Sequence, residues 1–195
     1  MEKEIITAVA IGIGLSASCG FRVFVPLLVA SIAAKMNIFV VNEGFQWLSS
    51  WPAIISFGTA TVAEILAYYI PFIDNLLDTI TSPLAVVGGT LLLTSVIPVD
   101  NEFLKWAIGF LFGGGAAATV QGGTVLTRLA STKLTAGIGN PVLATGEHVA
   151  AFGSSVLTLI IPLIIAALIL LLIVYFISKY GGLIFRKKAL ETNRQ

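Results

Sequence analysis

Charge is the scarcest commodity in this chain, and that scarcity limits what it can fold into. Ile5 to Ala34 holds one charged residue, Arg22, and Trp51 to Ile70 holds only Glu64. Lys and Arg together number 11 and Asp and Glu 10 among 195 residues, while 57% are apolar or aromatic and 19 more are glycine. Soluble domains carry about 25% charge and roughly 45–50% apolar residues with glycine counted in. A soluble globular protein is therefore excluded, because too little polar surface exists to cover it. Disorder is excluded by the same figures, since disordered chains are polar and highly charged. What remains is an all-α integral membrane helical bundle. At about 20 residues per helix, the length gives a single transmembrane domain, residues 1–195, of five or six spans. It closes with a basic tail, residues 179–195.

Along the chain, Ile5 to Ala34 reads as the first span. Met1-Glu2-Lys3-Glu4 lacks the net positive charge of a cleavable signal. Met36 to Ser50 is a mixed connection, with Trp47 and Trp51 suited to a membrane interface. Trp51 to Ile70 is the second span. Pro71 to Ser82 reads as a short amphipathic helix with Asp74 and Asp78 one turn apart. Pro83 to Ile97 is apolar but only about 22 Å long as a helix, short for a crossing and open to a re-entrant reading. Trp106 to Leu126 is a further span, in which Gly113 to Ala118 offers a packing surface. Arg128 to Gly139 reads as a polar connection. Pro141 to Ile177 would make a helix of about 55 Å, nearly twice a hydrocarbon core of about 30 Å. It divides into Thr158 to Ile177, a complete span, and Pro141 to Leu157, either a crossing or a segment buried in protein.

Orientation follows the distribution of basic residues. Six spans put eight of them inside and two outside; five spans, with the N-terminus outside, put seven inside and three outside. Both arrangements place the C-terminus in the cytoplasm, and six spans are preferred.

The polar residues left in the apolar segments are the candidates for chemistry. Arg22 must face the protein interior, because an arginine at this depth costs several kcal/mol without a partner or water. Gly12, Ser16 and Gly20 recur every four residues and allow a neighbouring helix to approach closely. Glu64 shares a helix face with Thr61 and Tyr68. Its economical partner is Arg22, either as a structural pair or as part of a substrate or proton path. Ser82-Pro83 and Asn140-Pro141 each match a helix N-cap followed by proline in the first turn. Two helix starts at membrane depth would aim free amides at a shared site; alternatively both are ordinary caps at the surface. Glu147 and His148 follow one helix turn and more after Pro141. The lone histidine could relay protons or simply pack, and packing is the better-supported role.

Other chemistries are absent. One cysteine and one histidine cannot build a four-ligand zinc site, and nothing calls for a cofactor. No nucleophile elbow or phosphate loop occurs, which disfavours an enzyme. A net charge of +1 gives no reason for a nucleic-acid partner. Membrane lipids and a small solute or ion are the expected partners, with homo-oligomer formation left open.

Together these motifs resemble a known family. The helix Gly14 to Pro26, the pattern Glu64…Pro71…Asp74…Asp78, and the stretch Arg128 to Glu147 containing Asn140-Pro141-Val142 look like the three signatures of the domain of unknown function 4126 family. Its members are small multi-pass bacterial membrane proteins. The resemblance spans roughly residues 8–175 and implies a fold, with no activity attached. Relatives often carry a histidine and a lysine where Gln121 and Thr124 stand here, and an arginine where Ser82 stands. Those cationic groups are missing at these positions of this chain. The expected function is passage of a small solute, ion or lipid headgroup through a polar centre; the alternative is a non-transporting scaffold or subunit of a membrane complex.

Overall fold

A computed structural model describes residues 2–70 and 73–175, apart from the side chains of Glu2, Asp74 and Asn75. The tail 179–195 lies outside the described residues. The described elements are all helical: α1 (Glu2–Ser18), α2 (Phe24–Lys35), a 3₁₀ segment (Glu43–Ser49), α3 (Trp51–Ala67), α4 (Ile73–Thr94), α5 (Glu102–Ile108), a π segment (Gly109–Gly114), α6 (Gly115–Thr135), α7 (Asn140–Ile160) and α8 (Pro162–Tyr175).

Local chemistry explains the boundaries. Ser50 caps α3, its hydroxyl accepting from the Ala53 amide at 3.2 Å, and Pro52 occupies the first turn. Asn101 caps α5 by accepting from the Leu104 amide at 2.9 Å. Beyond α6, Ala136 and Gly137 both take positive φ, 53° and 87°, a left-handed stop that glycine tolerates without strain. Pro162 disfavours helix at the residue before it and cannot donate to the preceding turn. α7 therefore ends at Ile160 and α8 starts afresh. The expected division of Pro141 to Ile177 is real, but it falls at Ile161 rather than after Leu157.

The protein is polar inside and apolar outside. Ser16, Arg22, Thr61, Glu64, Thr94, Gln121, Arg128, Glu147 and Thr158 are buried, whereas Ile55, Leu66, Leu111, Phe152, Leu168 and Leu171 are exposed. Water would drive the opposite sorting, so this surface belongs in lipid. By length and composition three helical stretches can cross a membrane: Leu76–Thr94, Glu102–Thr135 and Asn140–Ile160. A fourth is added if the pair Glu43–Ser49 and Trp51–Ala67, bent by 60°, counts as one span. The expected five or six spans are thus corrected to three or four among the described residues.

One expected span is lost at the start of the chain and one at Thr158 to Ile177, where the described helix is only Pro162–Tyr175. Ile5 to Ala34 is not one helix, because it breaks at residues 19–23, around Arg22. Lys3, Glu4 and Ala8 of α1 share a cavity with Phe39, Asn42 and Val96. Both open ends of the α1–α2 pair therefore lie at one side of the bundle, with residues 19–23 as a deep apex. Small residues permit this. The Ser16 hydroxyl donates to the Gly89 carbonyl at 2.6 Å, and a Cβ on Gly20 would lie 2.5 Å from the Ala117 carbonyl oxygen. The close approach expected along Gly12, Ser16 and Gly20 is present, against α4 and α6. α8 also folds back, since Leu172 lies beside Val142 and Gly146 near the start of α7.

Two further expectations are corrected. Pro83 does not start a helix but sits inside α4. The Ser82 hydroxyl donates backward to the Asp78 carbonyl at 2.6 Å instead of capping. The acidic segment Asp74–Ser82 and the apolar segment after it are one helix. Arg128 is not in a connection either. It is 3% exposed, within α6.

Candidate functional site

The apex of the α1–α2 pair, the end of α3, the first turns of α4, the last turns of α6 and the first turns of α7 meet in one charged cluster. Its depth follows from helix geometry. Glu147 lies seven residues after the start of α7 and Arg128 seven before the end of α6, about 10 Å along each helix.

Glu147 holds the middle. Its Oε2 is 2.9 Å from Arg22 Nη2, its Oε1 accepts from Arg128 Nε at 3.1 Å, and Oε2 is also paired with Arg128 Nη2. One carboxylate thus bridges two guanidinium groups. Arg128 Nη1 is 3.5 Å from Asp78 Oδ1, which also accepts from the Tyr68 hydroxyl at 3.2 Å. The Tyr68 ring lies between the arginines, its centroid 3.5 Å from Arg22 Cζ and 4.3 Å from Arg128 Cζ. Cation–π attraction at desolvated sites is worth about 2 kcal/mol or more, so the ring offsets part of the repulsion between like charges.

His148 joins through Arg22. Arg22 Nε donates to His148 Nδ1 at 2.7 Å, and a guanidinium can only donate. Nδ1 is therefore the acceptor, and the ring hydrogen resides on Nε2. That nitrogen is buried without a hydrogen-bond partner among the described residues. The rings of Tyr68 and Tyr69 flank the imidazole, with centroids at 6.3 and 5.7 Å.

Glu64 serves a different end. It accepts from the backbone amides of Val23 at 2.9 Å and Phe24 at 3.1 Å, covering the positive end of α2. The expected ion pair between Glu64 and Arg22 is corrected: the carboxylate paired with Arg22 is Glu147. The shared face of Thr61, Glu64 and Tyr68 is as read, since all three are buried. Asp74 lies in α4 with its side chain outside the described residues. Asn140 is buried at the start of α7 and donates to the Thr132 hydroxyl at 3.2 Å. Pro141 occupies the first turn there, as expected, although Asn140 is not a side-chain cap.

Two cavities border the cluster. One, of about 320 Å³, is lined by Asp78, Thr79, Ser82, Arg128 and Thr132. The other, of about 410 Å³, lies between α6, α7 and α8, where apolar residues such as Val120, Leu143 and Leu172 line it together with Thr119, Thr124, Thr127 and Glu147. Among the expected site residues, Arg22, Asp78, Glu147 and His148 come together, Glu64 adjoins them, and Ser82 lines the polar cavity. Sequence reasoning missed Arg128 and gave Tyr68 no site role. A signal existed for the arginine: Ala117, Gln121 and Arg128 fall on one face at spacings of four and seven.

The family described as domain of unknown function (DUF4126) matches residues 9–180. The chain belongs to that family. No curated protein and no solved structure matches it. Gln121 and Ser82 are in contact, Gln121 Nε2 lying 3.3 Å from the Ser82 hydroxyl.

Proposed function

We propose that this member of the family is a multi-pass protein of the bacterial cytoplasmic membrane that binds a small solute, ion or lipid headgroup at the Arg22–Glu147–Arg128 cluster and passes it across. The basic tail, in this reading, faces the cytoplasm. The observation that carries the proposal is convergence. Charged side chains from four separated parts of the chain, with Tyr68 from a fifth, meet in one network with a cavity on either side, where a purely structural role would be met by isolated pairs. Buried ionisable groups in membrane helices are costly and mark substrate or ion pathways, and a break between helices at such a cluster is a feature of transporter sites.

Thiol accessibility tests it. With Cys19 replaced by alanine, cysteines at Ser82 and Thr132 should react with a small water-soluble methanethiosulfonate reagent, while one at Leu168 on the lipid-facing surface should not. Protection of both cavity positions would leave the cluster sealed from water. The non-transporting scaffold would then be the better account, its charges serving only to hold helix register.

A further inference from the structure

We infer that the groove between α6, α7 and α8 is a second site, which takes an uncharged membrane lipid ending in a free hydroxyl, of the diacylglycerol class. This goes beyond the proposed function: the groove shares no lining residue with the cavity at Ser82 and Thr132, and it requires nothing to be passed across.

The apolar part of the lining fixes the body of the ligand. Val142 and Leu172 stand at the rim, both exposed on the apolar outer surface, so the groove is reached sideways from the bilayer. Leu143 and Ala150 continue that wall. Gly146 keeps the space open, since nothing lies within 4 Å of a Cβ built there. The volume of about 410 Å³ lies within the roughly 300–1,000 Å³ of small-molecule sites.

The polar part fixes the headgroup, because it can accept and has no side-chain hydrogen to give. Thr119, Thr124 and Thr127 line the groove, and each spends its hydroxyl hydrogen on its own helix. They donate to the carbonyls of Gly115 at 2.8 Å, Gln121 at 2.9 Å and Gly123 at 2.9 Å. A hydroxyl oxygen that has donated can still accept. The remaining polar group in the described lining is the Glu147 carboxylate. It receives Arg128 Nε on Oε1 and both guanidinium Nη2 atoms on Oε2, and a carboxylate offers about four acceptor sites, which leaves room for one more donor. A ligand must therefore bring a hydrogen. Charge of either sign is disfavoured: a phosphate would meet Glu147 with no side-chain donor to receive it, and an ammonium would meet Arg22 and Arg128 across the carboxylate they share. A neutral hydroxyl satisfies the lining at no such cost.

The test uses the full-length protein in detergent, with native mass spectrometry counting bound lipid. The probes share their chains and differ only at the headgroup: dioleoylglycerol, its methyl ether, dioleoylphosphatidic acid and the dioleoyl trimethylammonium analogue. Dioleoylglycerol should bind about tenfold more tightly than the ether, the order expected for a hydrogen bond to a charged or buried acceptor. It should also exceed both charged lipids. Gly146→Leu fills the groove, leaves every charged residue in place, and should weaken dioleoylglycerol tenfold or more. Thr124→Val with Thr127→Val keeps the shape of the walls and should narrow the gap between alcohol and ether without weakening the ether. Equal binding of the ether would overturn the inference, reducing the groove to ordinary lipid solvation. Tighter binding of either charged lipid would overturn the choice of a neutral headgroup, and absence of binding by all four would remove the site. None of these results alters the reactivity of cysteines at Ser82 and Thr132, so passage through the polar centre stands or falls separately.

Discussion

Arg22 and Arg128 share the Glu147 carboxylate, and Arg128 also pairs with Asp78, so Glu147 carries more of the fold than either arginine. Removing it leaves two buried guanidinium groups facing each other across Tyr68. Breaking a buried pair by deleting one partner costs about 3–5 kcal/mol, whereas replacing both partners with apolar residues is often nearly neutral. Glu147→Ala should therefore lower thermal stability in detergent by that order, and Arg128→Met with Glu147→Met should recover part of the loss. The pair Arg22→Met and Glu64→Met should recover less, because those residues are joined only through space. Glu64→Ala should still destabilise by roughly 1–3 kcal/mol, the cost of leaving buried donors unmet. Stronger recovery for Arg22 with Glu64 than for Arg128 with Glu147 would reverse this assignment of partners.

Between elements, glycine sets the distances. α4 and the π segment meet backbone to backbone, and a Cβ on Gly89 would lie 2.6 Å from the Gly113 carbonyl oxygen. Gly115, two residues after Gly113, has nothing within 4 Å of its own Cβ position. Gly89→Ala should push the helices apart at a cost of about 1–3 kcal/mol, the usual range for overpacking. Gly115→Ala should be neutral or stabilising by roughly 0.5–1 kcal/mol, since alanine is the better helix former. Melting curves of the two variants separate contact from propensity. Equal melting temperatures would mean that α4 and the π segment are not held at this spacing.

For the whole molecule, the fold-back of α1 and α2 fixes sidedness. The start of α1, the end of α2, and residues 36–50 and 95–101 lie at one side; the turn after α6 lies at the other. Arg128 is buried and drops out of the count of loop charges, which leaves Lys133 as the basic residue near that turn; in the proposed reading this second side faces the cytoplasm. A cysteine at Glu43 should be labelled by an impermeant thiol reagent in intact spheroplasts, and one at Lys133 only after lysis. Labelling of both from outside would place the two ends of the bundle on the same side and dismiss the fold-back.

Apolar content and short-range spacing determined a good deal by themselves. The all-α membrane class, the buried face of Thr61, Glu64 and Tyr68, the close approach along Gly12, Ser16 and Gly20, and the helix start at Pro141 all follow from neighbours within a turn or two. Tertiary structure alone decided who pairs with whom. Glu64 reaches amides 40 and 41 positions away, Arg22 meets His148 across 126 positions, and Arg128 finds Glu147 across a helix turn-around of 19. Helical periodicity says which side of a helix a residue is on, but not which helix stands opposite. It also cannot say whether an apolar stretch with a break crosses the membrane or returns. That choice belongs to Arg22 and its partners, because a buried guanidinium settles where carboxylate, imidazole and aromatic ring can all reach it.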